Sequence, residues 1–128
     1  MASKFQLVRR PRRRKHHKSL ARGLKGCPQR RGWVMRRMIH SPKKPNSAQR
    51  KVAFIRVSTR KRVIAAIPGE MNTLQQYARV LLRGGRRRDR PGCNHLIISG
   101  VYDMPPNYLR VRQRSKSGMK RSTFRAKE

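Results

Sequence analysis

The chain has 128 residues, of which 36 are lysine or arginine and four are acidic, so its formal net charge is +32. This length suits one domain, and with 35% apolar residues the chain can bury one small core but cannot cover its whole length with it. So large a charge opposes compaction unless a polyanion neutralises it, and nucleic acid is therefore the predicted partner. No run approaches the ~20 apolar residues of a membrane span, so no membrane function is predicted.

Residues 1–31 are predicted to form a basic extension outside the core. Phe5, Leu7 and Val8 suit a short helix that Pro11 would end. A signal peptide would place its apolar run after its charges, and here the order is reversed. A nuclear-localisation run is the plainer alternative for such a basic cluster. The extension is predicted to become ordered on RNA, through Arg9, Arg10, Arg12, Arg13, Arg14 and Lys15.

Five short apolar runs between Trp33 and Ile98 predict an all-β domain. Residues 19–32 lack an apolar period and are predicted to be a linker, and residues 71–77 to form no more than a helical turn. Five short strands at this spacing predict a small five-stranded barrel of the oligonucleotide-binding (OB) type over residues 32–103, followed by a basic tail over 104–128. The predicted strands are 33–39, 51–58, 62–67, 80–82 and 96–98, with a hairpin turn at 59–61.

Two unusual loops connect these strands on the side where OB-type barrels bind nucleic acids. The first loop, residues 41–50, contains two prolines three residues apart, which predict a stiff and extended segment. Its ammonium, amide and hydroxyl groups can meet phosphates, 2′-hydroxyls and base edges, although an ordinary proline-rich surface turn is the alternative. The second loop, residues 84–92, begins with two glycines, carries four arginines and ends in a Pro-Gly turn. The barrel assignment predicts that the two loops meet.

The acids and cysteines do not indicate catalysis or a metal site. Asp89 is the one acid in the second loop, and it is predicted to order the arginines, since no second acid or histidine lies near it in the sequence. Cys27 and Cys93 are far apart, without the paired short spacing of zinc ligands, and are predicted to be buried or half-buried thiols in a reducing compartment. No enzyme is predicted, because the four acids are scattered.

A series of motifs, in a fixed order, gives the chain a specific resemblance. They are Pro-Lys-Lys-Pro-Asn-Ser-Ala at 42–48, Pro-Gly-Glu at 68–70, Arg-Gly-Gly-Arg at 83–86, Asp89 with Pro-Gly at 91–92, and Arg-Ser-Lys at 114–116. Together with Gln-Leu-Val-Arg at 6–9 and Cys-Pro-Gln at 27–29, they closely resemble the ribosomal S-twelve family of the small subunit. One Gly-Gly or Pro-Gly pair would mean nothing, but this ordered series is specific.

The resemblance implies a barrel on the intersubunit side of the small ribosomal subunit, with its N-terminal extension threaded into ribosomal RNA. It also implies that both loops reach the decoding centre, beside the codon–anticodon helix in the aminoacyl-tRNA site, and support accuracy there. The implied decoding residues are Lys43, Lys44, Pro45, Asn46, Ser47, Arg88, Asp89 and Pro91, and Asp89 is methylthiolated in several family members. Further implied contacts with ribosomal RNA are Arg50, Lys51, Arg83, Arg86, Arg87, Arg114, Lys116 and Lys120.

The implied partners are small-subunit ribosomal RNA, the mRNA–tRNA decoding helix and neighbouring ribosomal proteins, with no membrane and no second copy of the chain. No cofactor is implied, apart from structural Mg²⁺ held through the RNA. A free single-stranded RNA-binding chaperone of the OB class is the alternative function.

Departures from the family pattern predict where the protein works. Arg88 replaces a common lysine, and the segments 71–73 and 104–109 differ from the family's usual residues. This drift, with the loop centres kept and acids depleted, predicts a mitochondrial member, with plastid or bacterial cytoplasm as the alternatives. Because residues 6–8 already fit the family's own beginning, the resemblance leaves no room for a cleaved presequence and predicts a protein made inside the organelle.

Overall fold

The computed structural model describes residues 2–14, 17–69, 74–110 and 112–120. The described chain is mostly β, and the predicted five-stranded barrel is confirmed. Its elements are α1 (Lys4–Arg9), β1 (Gln29–His40), β2 (Arg50–Val57), β3 (Arg62–Ala66), β4 (Arg79–Gly84), β5 (His95–Ile97) and α2 (Arg114–Ser117).

The strands close into a barrel in the order β1-β2-β3-β5-β4. The long strand β1 pairs antiparallel with two neighbours, so that Trp33 lies opposite Arg79 of β4 and His40 opposite Arg50 of β2. A register shift at Met35 falls between these two pairings, as expected for a bulge that bends the strand. β3 and β5 are the parallel pair, and β5 is antiparallel to β4. Each described strand thus has a partner on both sides, although residues 36–40 of β1 pair with β2 alone.

Alternate residues of the strands fill the barrel with apolar side chains, as the period of two in a strand requires. The buried core includes Val34, Ala53, Ile55, Ala65, Val80, Leu82 and Ile97, together with Leu74 and Met104 from outside the strands.

The N-terminal segment closes one end of this core with Leu24, which is buried. Gly23 makes that approach possible, because a Cβ atom there would lie 2.8 Å from Val63 Cγ1 and 2.9 Å from His95 Nε2. A side chain at position 23 would therefore push the segment away from the barrel end.

The first helix was predicted correctly, and it has a capping box. The Ser3 hydroxyl accepts a hydrogen bond from the Gln6 N–H, and the Ser3 N–H donates to Gln6 Oε1 at 3.0 Å. Both partners lie within one turn, so the cap needs no contact from outside the helix.

The prediction of a linker up to residue 32 is wrong at its end, because β1 already begins at Gln29. Gln29 pairs with Arg83 of β4, and Arg30 bonds back to the preceding segment through Nε to Leu24 O at 3.2 Å and through Nη2 to Cys27 Sγ at 3.0 Å. A charged strand start is stable here because it has a partner strand about 50 residues later in the chain. The predicted helical turn at 71–77 lies partly outside the described residues.

After β5 the chain folds back along the barrel. Met104 enters the core, and further on the Asn107 N–H donates to Ser117 O at 2.9 Å. Gly118 lies so close to the backbone of Ser99 and Gly100 that a Cβ atom would clash. The tail as far as residue 120, apart from position 111, is thus positioned by backbone contacts, while no side chain of α2 is buried. In the part of the chain that the structure describes, no helix is long and apolar enough to cross a bilayer.

Candidate nucleic-acid interface

The two loops are joined by a hydrogen bond. The Lys43 N–H donates to the Asp89 carbonyl oxygen at 2.8 Å, so the start of the first loop lies against the second. The sequence-based expectation that these loops meet is therefore borne out by the geometry.

The first loop turns where the sequence predicted an extended segment. The Asn46 N–H donates to Lys43 O at 3.1 Å across the cis Lys44–Pro45 peptide. The Lys43 N–H thus donates to the second loop, and its carbonyl oxygen accepts from Asn46. These two hydrogen bonds hold the chain in a turn. The side chains of the predicted decoding residues of this loop are all exposed: Lys43, Lys44, Pro45, Asn46 and Ser47.

The second loop holds its shape through its own backbone. The Gly85 N–H donates to Asn94 O at 3.2 Å and the Arg87 N–H to Cys93 O at 3.0 Å, while the Cys93 N–H donates to Arg90 O at 3.2 Å. With the backbone thus occupied internally, the arginine side chains remain available for an outside partner. Arg86, Arg87, Arg88 and Pro91 are exposed.

Arg90 was not among the predicted site residues, yet it connects the second loop to the barrel. It is only 8% exposed and, among the described residues, no other lysine or arginine is buried. Its Nη1 donates to the Lys51 carbonyl at 3.3 Å, and its Nε lies 3.6 Å from Asp89 Oδ2. Nothing in the sequence distinguishes Arg90 from the three arginines that precede it in the loop, so only the fold could identify it.

Asp89 pairs with arginines of both segments, as expected from its position as the one acid in the loop. Its Oδ2 lies 3.6 Å from the Nε of Arg50 and 3.6 Å from that of Arg90. These distances describe ion pairs rather than hydrogen bonds. The Arg50 side chain is half exposed, so that pair is worth under about 1 kcal/mol and weakens as salt increases.

The two thiols have the structural positions that were predicted for them. Cys27 is half-buried, Cys93 is buried, and neither forms a disulfide. Burial raises the pKa of the Cys93 thiol, and the positive charge of Arg90 opposes that shift only partly. The neutral thiol donates to the His95 carbonyl at 3.7 Å. The residues that the structure describes contain no cluster of three metal-ligating side chains.

An open cleft of about 440 Å³ lies beside the joined loops. The described residues that line it include five cations and no acid: Lys43, Arg86, Arg87, Arg88 and Arg90. Arginine forks of this kind bind phosphate oxygens, and the small polar side chains of Asn46 and Ser47 are exposed on the adjoining first loop. The arrangement can bind a nucleic-acid backbone, and it offers no acid–base pair for catalysis.

A model of the family Ribosomal protein S12/S23 matches residues 16–124. The chain belongs to the ribosomal protein S12/S23 family. It is 48% identical over 121 residues to the small ribosomal subunit protein uS12m of Bigelowiella natans, which covers 94% of this chain and 96% of that protein. It is 45% identical over 120 residues to the protein of the same name from Acanthamoeba castellanii, with 92% and 94% covered.

Family membership confirms the resemblance and the prediction of a non-enzymatic, small-subunit ribosomal protein that serves translation. It does not favour the alternative of a free RNA chaperone. Both relatives are mitochondrial proteins.

The other candidate RNA-binding residues of this S12/S23 protein are distributed around the barrel. Arg50 and Lys51 begin β2, and Arg83 is an exposed residue next to the end of β4, where the second loop begins. The tail residues are not brought to the loops, because Gly118, which caps α2, packs on Gly100, beyond the end of β5 that lies away from the second loop. Lys15 lies outside the described residues, and the remainder are exposed: Arg9, Arg10, Arg12, Arg13, Arg14, Arg114, Lys116 and Lys120.

Proposed function

We propose that the joined loops stand at the decoding centre of the small subunit and support the accuracy of codon–anticodon pairing in the aminoacyl-tRNA site. The hydrogen bond from the Lys43 N–H to Asp89 O carries this proposal. It holds a tip of small polar groups at a fixed position relative to a cluster of arginines. A site that tests the geometry of a helix needs such a fixed reference.

In this proposal Pro45, Asn46 and Ser47 lie against the minor groove and the RNA bases that monitor it. Lys43 and Lys44 bind nearby phosphates. The second side of the site consists of the second loop's Arg88, Asp89 and Pro91.

The physics of RNA suits this role. The minor groove of an A-form helix is wide and shallow and exposes 2′-hydroxyls, so a rigid polar loop can sense pair geometry without reading sequence. One such hydrogen bond is worth about 0.5 to 1.5 kcal/mol net. A few bonds that form fully only on a well-shaped helix would change discrimination roughly tenfold per 1.4 kcal/mol.

The remaining basic residues would fix the protein in ribosomal RNA. The extension over residues 1–31 and the tail over 104–128 act as RNA-embedded arms in this proposal, flanking the barrel over 32–103. Neighbouring ribosomal proteins and the mRNA–tRNA helix complete the set of partners. The mitochondrial relatives support a place in the mitochondrial ribosome. That the protein is made inside the organelle stays a prediction. Methylthiolation of Asp89 stays a prediction.

The test is the frequency of misreading at near-cognate codons in ribosomes that carry Lys43→Ala or Lys44→Ala. Loss of a phosphate contact should destabilise the state of the ribosome in which a tRNA is accepted. Acceptance of near-cognate tRNAs, which bind more weakly than cognate tRNAs, should decrease most. We expect the error frequency to fall by up to about tenfold, since one charged contact is worth roughly 1.4 kcal/mol or a little more.

Lys4→Ala in α1 is the matched control, because Lys4 is an exposed lysine in the N-terminal segment, distant in sequence from both loops. It should leave accuracy unchanged. If the Lys43 and Lys44 variants assemble normally and misread at the unaltered rate, the first loop is RNA scaffolding and the decoding role is wrong.

A further inference from the structure

A second concave surface lies on the outer side of β2 and β3, next to the N-terminal segment. We call it the lateral cleft and define it by Phe54, Ile64, Arg22, Lys61, Arg62 and Asn94, which line it. Its volume is about 510 Å³, a size typical of sites that hold a small ligand. None of the predicted decoding or RNA-binding residues lines it.

The floor of the lateral cleft is apolar and rigid. Phe54 of β2 lies directly opposite Ile64 of β3 in the sheet, and both side chains are half exposed. Behind them, Ile64 packs on a small buried cluster of Ala66, Cys93 and Leu96, separate from the barrel core. A half-exposed ring on a rigid strand is a platform on which a base can stack.

The rim of the cleft is cationic. Arg22 comes from the N-terminal segment, Lys61 from the turn between β2 and β3, and Arg62 is the first residue of β3; all three are exposed. No acid is found among the described residues that line the cleft, and Asn94 offers an amide that can both donate and accept hydrogen bonds. A ligand that matches this lining has a planar apolar ring, polar edges and negative charge.

The wall that carries Arg22 is fixed by the fold. The Thr59 hydroxyl donates to the Gly23 carbonyl at 3.1 Å, and Gly23 itself packs on Val63 and His95. The cleft is therefore formed before any ligand arrives, which lowers the entropic cost of binding.

We propose that the lateral cleft holds one unpaired nucleotide of ribosomal RNA. Its base lies on Phe54 and Ile64, and its phosphate lies among Arg22, Lys61 and Arg62. The inference rests on the proposed function only in taking ribosomal RNA as the partner. An apolar side chain of a neighbouring protein would match the floor but would leave the three cations without counter-charge, so charge complementarity favours the nucleotide.

The experiment uses assembled small subunits that contain the full chain with Phe54→Ala, and it measures 2′-hydroxyl acylation along the ribosomal RNA. Loss of one stacking contact should free one nucleotide, and we expect its reactivity to rise roughly tenfold while the rest of the RNA is unchanged. Phe54→Tyr keeps the ring and should behave as the parent protein.

A second pair of variants distinguishes loss of nucleotide binding from a change in β2 caused by Phe54→Ala. Arg62→Gln should raise the reactivity of the same nucleotide, whereas Arg60→Gln, in the turn that precedes β3 but outside the cleft lining, should not. If neither Phe54→Ala nor Arg62→Gln changes any nucleotide, or if Arg60→Gln changes the same one, the proposal is overturned. A third result is that the cleft variants leave every nucleotide's reactivity unchanged while Lys43→Ala ribosomes show altered accuracy. That pair of results would overturn the nucleotide-binding proposal and leave the decoding proposal intact.

Discussion

The barrel interior and the joined loops are stabilised by different forces. Inside the barrel, side chains such as Ile55 and Leu82 are completely buried and contact one another. The contacts described between the two loops and from the second loop to the barrel are the hydrogen bond from the Lys43 N–H to Asp89 O, the buried Arg90 and two ion pairs of 3.6 Å. Apolar burial is insensitive to ionic strength, whereas partly exposed ion pairs are screened by salt. The apolar contacts inside the barrel are thus little affected by screening, whereas the ion pairs that join the loops weaken as salt increases.

The largest effect should come from the interior. Leu82→Ala removes a fully buried side chain of β4 and should lower the free energy of unfolding by about 2 to 5 kcal/mol. The measurement is denaturant unfolding of the full chain at high salt, where the repulsion within the +32 charge is screened. Leu109→Ala is the control, since Leu109 is 63% exposed, and should change stability by less than about 0.5 kcal/mol. Equal losses in the two variants would contradict this picture of the core.

An intermediate effect should come from the buried arginine. Arg90→Met keeps the apolar stem but leaves the Lys51 carbonyl without the Arg90 donor, and should cost about 1 to 3 kcal/mol of unfolding free energy. Arg88→Met, at an exposed arginine of the same loop, should cost less than about 0.5 kcal/mol. Thermal or denaturant unfolding of both variants checks this contrast. If the two substitutions are equivalent, Arg90 does not hold the second loop to the barrel.

The smallest effect should be a pH dependence at the barrel end. Burial lowers the pKa of His95 below its ordinary value of 6.5. As pH falls through 6.5, His95 binds a proton in the unfolded chain but remains neutral in the folded chain, so the free energy of unfolding decreases on acidification. His95→Phe removes this contribution, and its melting temperature should fall less than that of the parent protein between about pH 7.5 and about pH 5.5. An equal fall in the melting temperatures of the two proteins over this pH range would show that burial does not lower the pKa of His95.

The sequence predicted those elements whose cause is local. All five strands were found because each shows its apolar residues within a few positions, and α1 was found because Pro11 follows an apolar cluster. The start of β1 was missed because its extended conformation depends on pairing with β4, far along the chain. Charged residues such as Arg30 and Arg31 are also more typical of a linker than of a strand. Pairing with a distant strand leaves no local pattern to read.

The candidate site was predicted in its composition but not in its geometry. The loops and their cations could be read from the sequence, whereas the turn in the first loop could not, because it uses the Lys43 contact with Asp89. Four arginines of the second loop look alike in the sequence, and only packing decides that Arg90 is buried while Arg88 is exposed. Charge is a property of residues, but burial is a property of the fold.

The parallel pairing of β3 with β5 has a consequence for the order of assembly. Strands β1, β2 and β3 are neighbours along the chain and can pair locally while synthesis continues, but the barrel closes only when β5 joins β3. The second loop is bounded by β4 and β5, so its position is undefined until that closure. The meeting of the two loops therefore depends on the last strand to be synthesised, and the surface that the loops form together is complete only after β5, at His95–Ile97, has been made.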